Sequence, residues 1–250
     1  VATDSSAPRL AVRGLTKRFG GLLAVNGCNF EVGSGTVVGL IGPNGSGKST
    51  VFNLITNMLR ADSGSVLHDG TPLTGLKLHE VARRGIGRTF QEVKIFRELT
   101  VWENLALAAL GRGLADWQPR AHSLLADFKL GHLDNEEGEN LSIGQQRLLE
   151  LSMQLLVQPD LLLLDEPLAG VHPVVRDIIA GIIRDQRKAG RAILLIEHDM
   201  RFVMDLCDRV VVMDHGEKIA DGPPAEIRAD EKVIEALLGA SRRTSDHVEH

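Results

Sequence analysis

The chain has 250 residues, a hydrophobic fraction of 43% and a formal net charge of −5, enough apolar content for one large domain or a core with an inserted subdomain. Its 28 Lys and Arg residues are scattered, Tyr is absent and there are 2 Trp, so it has neither the basic footprint of a nucleic-acid binder nor the aromatics of a single-strand stacking platform. No apolar run approaches the ~18 residues of a membrane span, and the polar start VATDSSAPR lacks the apolar stretch of a secretory signal; with Cys28 and Cys207 isolated and without metal-ligand spacing, a cytosolic chain free of disulfides and without a nucleic-acid partner is expected.

The first elements are short β-segments, Leu10 to Val12 and roughly Leu22 to Val32, separated by Gly20-Gly21 and Gly27. They read as an antiparallel β layer. Thr36 to Ile41 (TVVGLI) is an apolar, β-rich run of strand length, and Val51, Phe52, Leu54, Ile55, Met58 and Leu59 recur at the spacing of an amphipathic helix. Between them lies GPNGSGKST, which fits the phosphate-binding pattern G-x-x-x-x-G-K-[S/T]. Strand, glycine loop and helix come in the order that phosphate binding requires. Gly42, Gly45 and Gly47 let the backbone curl with its N–H groups inward, and the helix start adds the positive end of its dipole. The expected nucleotide-binding residues are therefore Gly42, Pro43, Asn44, Gly45, Ser46, Gly47, Lys48, Ser49 and Thr50. Lys48 would reach the terminal phosphates and Ser49 would ligate Mg²⁺. A glycine-rich turn that happens to carry Lys-Ser is the plain alternative, and the flanking pattern disfavours it.

Further along, Ser65 to His68 followed by Asp69-Gly70 signals a hairpin. Helical patterning runs from about Thr100 to Leu156, with polar breaks near residues 111–119 and 131–139, long enough for a separate helical subdomain. Two wholly apolar runs follow, Leu161 to Leu164 and Ala192 to Ile196, joined by a helical stretch from Val174 to Lys188. That is the mark of a buried parallel sheet. LLLLDEP then places two acids at the end of a buried strand, as a Walker B element does: Asp165 to hold Mg²⁺ and Glu166 to orient or deprotonate the attacking water. An ordinary strand ending in surface acids is the alternative, weakened by the loop upstream. Val210 to Met213 is another strand, Asp214-His215-Gly216 a turn into a final pair around Lys218 to Ala220, and Ala225 to Leu238 has helical spacing. The last ten residues are polar and expected to be mobile. The fold class expected is α/β, with an antiparallel β layer, an inserted α-helical subdomain and a core that, on these motifs, resembles the P-loop NTPase (RecA-like) fold.

LSIGQQ, Leu141 to Gln146, precedes a helical run carrying Leu148, Leu149, Leu151, Leu155 and Leu156. Alone it would read as a capped helix start. In company with the two motifs above, the chain resembles the ATP-binding cassette family, whose signature reads LSGGQ. The resemblance implies that Ser142, Gly144 and Gln145 serve a nucleotide held by a second subunit, in a head-to-tail dimer, homomeric or heteromeric, with two ATP molecules at its interface. Ile143 departs from the pattern, and a β-branched residue resists positive φ. The resemblance further implies that Gln91, in GRTFQ, senses Mg²⁺ and the γ-phosphate, that His198, in LLIEHDM, contacts that phosphate, and that Phe19, in TKRFGG, stacks on adenine. A surface Gln, a structural His and a core or surface Phe are the respective alternatives. PLAGVHP, Pro167 to Pro173, corresponds to the family's D-loop, with His172 where Asp or Asn is more usual.

Within that family the stretches NGCNFEVGSGTVVGLIGPNGSGKSTVFNLIT, RRGIGRTFQEVKIFRELTVWENLALA, LSIGQQRLLELSMQLL and DEKVIEALLG are similar to the ATPases of branched-chain amino-acid importers, and the likeness covers nearly the whole chain. It implies an ATPase that uses ATP and Mg²⁺, closing its dimer on ATP and reopening after hydrolysis. It also implies membrane permease partners docking on Glu92 to Leu105, an extracytoplasmic binding protein as an indirect partner, and a peripheral place on the inner face of the cell membrane. Ordinary packing of the helical block is the alternative for Glu92 to Leu105. The expected division is 1–91 and 157–222 as core with β layer, 92–156 as helical subdomain, 223–240 as a helical tail and 241–250 as disordered. Urea importers and lipid or lipopolysaccharide exporters remain open. A soluble cassette of translation or repair typically has two cassettes or a coiled-coil insertion, which this chain lacks, and a dead-site regulator is disfavoured by Lys48, Asp165, Glu166 and His198.

Overall fold

The computed structural model describes residues 7–237. Leu238 of the expected tail and the expectation for 241–250 lie outside them. In chain order the elements begin with β1 (Leu10–Phe19) and β2 (Leu22–Val32), a hairpin, followed by β3 (Val37–Ile41), α1 (Lys48–Ile55), β4 (Ser63–His68) and β5 (Thr71–Pro72). Then come α2 (Leu78–Arg83), β6 (Ile86–Arg88) and three helices, α3 (Val101–Arg112), α4 (Gln118–Asp127) and α5 (Ile143–Leu156). The chain continues through β7 (Leu161–Asp165), α6 (Pro173–Lys188), β8 (Ala192–Ile196), α7 (Met200–Leu206), β9 (Arg209–Asp214), β10 (Glu217–Gly222) and α8 (Pro224–Ala229).

These strands form two sheets, an antiparallel one in the order β2-β1-β4-β5 and a mixed one in the order β10-β9-β3-β8-β7-β6. The second is parallel except at β10. Its central strands are apolar at every position because successive side chains enter different cores. Leu162, Leu164, Ile193 and Leu195 face the core shared with α5 and α6, whereas Leu161, Leu163, Leu194 and Ile196 face the one shared with α1 and the antiparallel sheet.

Register decides where the chemistry lies. Leu40 of β3 pairs with Ile196 of β8, and Ile196 pairs with Asp165 of β7. The loop after β3, the acids ending β7 and Glu197-His198 after β8 therefore emerge side by side at the carboxyl edge of the sheet, where open α/β sheets bind ligands.

Three features escape the sequence patterns. β6 is three residues long, with Gly87 and Arg88 in it, too short and too polar to read as a strand; pairing with β7 forms it. α7 follows an Asp199 cap that accepts from Phe202 N at 3.1 Å, a start signal that the apolar pattern alone does not display. The tail is not one helix: α8 ends at Asp230, whose backbone is extended, and a second helical segment spans 231–237. Asp230 Oδ1 accepts from Lys232 N at 2.9 Å, so a residue that favours caps over helix interiors splits the run.

Candidate functional site

The loop between β3 and α1 can be built only from glycine at two points. Gly42 has φ 147° and Gly47 φ 104°; a Cβ would lie 2.0 Å from Met213 O at the first and 2.4 Å from Ala24 O at the second. The Lys48 ammonium is folded into the loop, donating to Gly42 O and Pro43 O at 2.8 Å each and to Ser46 Oγ at 3.4 Å. Burial pushes the Lys48 pKa down, against the pull of Glu166 and Asp165 nearby. The first-turn amides of α1 have no intrahelical acceptor, Gly47 supplies no side-chain cap and no acid stands in that turn. An uncapped, acid-free helix start beside a lysine fits a polyphosphate. Gly45 and Asn44 lie exposed at the loop's tip, Ser46 is buried, Ser49 is exposed and Thr50 half-buried.

Asp165 is buried and its Oδ2 is 3.3 Å from a guanidinium nitrogen of Arg88, itself buried. Burial pushes the Asp165 carboxyl up while Arg88 holds it down. Arg88 also donates to Thr56 Oγ1 at 2.8 Å and stacks within 4.8 Å of the Phe90 ring. Next in sequence, Glu166 has φ 49°, left-handed for a non-glycine residue, and its N–H donates to Ile196 O at 3.0 Å. That turn aims its carboxylate at two partners. Gln91 Nε2 donates to Oε2 at 3.2 Å, and His198 Nε2 lies 2.8 Å from Oε1. The structure thus brings Gln91, Glu166 and His198 together, with Lys48 and Asp165 as electrostatic neighbours.

Among the described residues no cluster of three His, Cys, Asp or Glu could hold a metal. Mg²⁺ does not need one, because it keeps waters and substrate oxygens around one or two protein ligands. The Ser49 hydroxyl, the Gln91 amide oxygen and Asp165 Oδ1 are hard oxygen donors of that kind. They fit the ion, with Asp165 Oδ2 already engaged by Arg88.

The signature residues are engaged with their own helix start. Ser142 caps α5: Gln145 N donates to Ser142 Oγ at 3.3 Å, and Ser142 N donates back to Gln145 Oε1 at 2.8 Å. Among the described residues no hydrogen bond joins Ser142, Gly144 or Gln145 to residues 42–50. Ile143 is the first residue of α5, does not have positive φ and is 59% exposed, so its backbone makes no demand that a β-branched residue cannot meet. Gly144 is constrained by packing instead, since a Cβ there would lie 3.0 Å from Val175 Cγ2 of α6. His172 is the N-cap of α6, its Nδ1 accepting from Val174 N at 3.4 Å. Phe19 ends β1, 44% exposed, with Lys17 Nζ 5.4 Å from its ring centroid. β2 carries that hairpin end past the loop, because Ala24 O abuts Gly47.

Sequence reasoning missed four buried charges around these residues. Arg88 pairs with Asp165; Glu197 accepts from Leu168 N at 2.7 Å and from His198 N at 3.1 Å; Arg147 and Glu150 lie on α5. Glu150 sits within an apolar run and Glu197 directly after one, which was the available signal for those two; Arg88 and Arg147 follow polar or glycine residues and carry none. Glu197 and Asp199 also line, with Glu166, Leu168, Arg176 and His198, an open cleft of about 410 Å³.

Comparison with known proteins places these features in a family. The profile described as ABC transporter matches residues 25–169, and that of the branched-chain amino acid ATP-binding cassette transporter matches residues 217–241. The chain is 41% identical to the high-affinity branched-chain amino acid transport ATP-binding protein BraF of Pseudomonas aeruginosa, over 94% of this chain and 99% of the relative. It is 38% identical to the lipopolysaccharide export system ATP-binding protein LptB of Escherichia coli, over 94% of this chain and 98% of the relative. A crystal structure of an ATP-binding cassette of an ABC transporter in its ADP conformation superposes with a TM-score of 0.85 at 32% identity, over 94% of this chain and 100% of that one.

Proposed function

Since this chain belongs to the ABC transporter family of ATPases, we propose that it is the ATP-hydrolysing subunit of an importer of branched-chain or related amino acids. The observation that carries the catalytic reading is Glu166, hydrogen-bonded from both sides by Gln91 and His198 at the sheet edge that also carries the phosphate loop. Its cargo is inferred from the match over residues 217–241 and from relatives such as BraF.

In this reading residues 42–50 bind the phosphates of ATP through backbone amides, and Lys48 leaves its carbonyl partners for the terminal phosphates. Phe19 supports the adenine. Ser49, Gln91 and Asp165 hold Mg²⁺, which when bound neutralises phosphate charge. Glu166 orients a water and takes its proton as the water oxygen bonds to the γ-phosphorus and the bond to the ADP oxygen breaks. His198 positions Glu166 and contacts the γ-phosphate. Ser142 and Gln145 bond to each other rather than to their own chain's loop, and in this reading they serve, with Gly144, a second cassette subunit, identical or related, in a head-to-tail dimer. Residues Glu92 to Leu105 receive the permease, and the subunit sits on the inner face of the membrane. No helix among the described residues is long and apolar enough to cross one.

The test is Glu166→Gln, which should lower ATP turnover at least about a hundredfold while allowing an ATP-dependent dimer in size-exclusion chromatography. Turnover close to wild type would remove Glu166 from its role. The identity of 38% to LptB keeps lipopolysaccharide export as a second reading. Co-purification with an amino-acid permease or with a lipopolysaccharide exporter separates the two.

A further inference from the structure

We propose that Arg147 and Glu150 are positioning residues for hydrolysis, a buried ion pair on α5 that fixes the backbone of residues 90–94 and so holds Gln91 against Glu166. The inference rests on the catalytic reading of Glu166 given above and adds residues which that reading does not use.

Gln91 lies in a stretch with no regular structure of its own, between the end of β6 at Arg88 and the start of α3 at Val101. Its order comes from α5. Arg147 donates from one guanidinium nitrogen to Phe90 O at 2.5 Å and from the other to Gln91 O at 2.7 Å. Glu150 Oε1 accepts from Phe90 N at 3.3 Å and from Lys94 N at 3.1 Å. The two side chains are joined at 3.3 Å and are 3% and 2% exposed. Gln154, one turn further on the same face, accepts from Arg88 N at 3.1 Å. One stripe of α5 therefore reads the backbone on both sides of Gln91, engaging donors as well as acceptors.

Packing alone does not call for this. Burying two charges is costly, and apolar residues of similar volume commonly serve a helix interface as well or better. What an ion pair adds is direction: the planar guanidinium fork and the carboxylate accept only one placement of the peptide units they bind. The side chain of Gln91 reaches Glu166 at 3.2 Å from that placement. Because Ser142 caps the same helix five residues before Arg147, the brace also makes the signature end of α5 and Gln91 parts of one rigid unit.

The experiment uses the full chain as wild type, Glu150→Gln, Gln91→Ala and the double variant, with steady-state ATP hydrolysis, thermal unfolding and amide hydrogen exchange. Expected are a fall in kcat of about tenfold or more for each single variant with KM for ATP within about threefold, and a melting temperature nearly unchanged in Gln91→Ala but lowered in Glu150→Gln, which leaves the Arg147 guanidinium buried without its carboxylate. The double variant should be no worse than the poorer single one within about twofold, since Glu150 acts through Gln91. Exchange at the Phe90 and Lys94 amides should accelerate selectively in Glu150→Gln, because a neutral amide oxygen no longer fixed by Arg147 is a weaker acceptor than the carboxylate. Unchanged kcat with those amides released, or losses that multiply in the double variant, would overturn the proposal. Should Glu150→Gln not fold, Arg147→Lys keeps the charge and removes the fork, and the same pattern is required of it. Absence of turnover in the wild type, or full activity of Gln91→Ala, would instead strike the catalytic reading.

Discussion

Glu166 shows how much a single residue's surroundings must supply. Left-handed backbone costs a non-glycine residue about 1 kcal/mol or more, and here it is held by an N–H bond to Ile196 and by two partners on the carboxylate. Asp165 and Glu166 are legible in the sequence as a pair of acids after four leucines, but the left-handed turn that sends them to different partners is not, because it depends on β8 lying alongside. Ile143 is the converse. Compared with the family's glycine it looks like a handicap, yet as the first residue of α5 it meets an ordinary helical backbone. The cysteines are inert for a physical reason: burial pushes the Cys28 thiol up to about 11 and the Cys207 thiol up to about 12. At pH 8 the thiolate fraction is then about one part in a thousand or less. Iodoacetamide at pH 8 should therefore leave the folded protein unlabelled and modify both thiols once urea unfolds it; fast labelling of the folded chain would contradict this.

Among the elements, α5 and α6 start with unequal caps. Ser142 closes a reciprocal capping box, whereas His172 offers α6 only a ring nitrogen at 3.4 Å from Val174 N. A carboxylate at that position would accept more closely and complement the helix dipole, so His172→Asp should raise stability by about 0.5–1 kcal/mol in urea unfolding at pH 7. A lower midpoint would mean that His172 has a partner beyond its own helix start. Long amphipathic helices and wholly apolar strands are readable from periodicity, as α6, β7 and β8 are. β6 is not, since three residues with a glycine and an arginine carry no period, and neither is the ordering of residues 89–100. That segment is held by Arg147 and Glu150 on one side and by buried Asn104, which donates to Phe96 O at 2.9 Å, on the other.

At the scale of the whole molecule, one sheet separates two apolar cores and its register gathers the loop, the acids and His198 at one edge. The signature segment bonds to its own helix start rather than to the phosphate loop, and the catalytic unit proposed is larger than the chain. A mixing experiment tests this. Lys48→Ala and Ser142→Arg should each abolish hydrolysis alone, and combining them should restore a measurable part of it, up to about a quarter of wild type, through the one dimer arrangement with an intact composite site. If the mixture stays silent while both variants bind each other, the head-to-tail arrangement fails. The phosphate loop, the paired acids and the alternation of strands and helices could be read directly from residue order, because backbone curl, dipole direction and side-chain period are local properties of the chain. Arg88 against Asp165, Arg147 and Glu150 beneath Gln91, and Gln91 and His198 closing on Glu166 are bonds between residues 32 to 77 positions apart or set by a helix inserted between strands. Their distances depend on how the sheet orders its strands and on where α5 packs, and only the folded chain sets those.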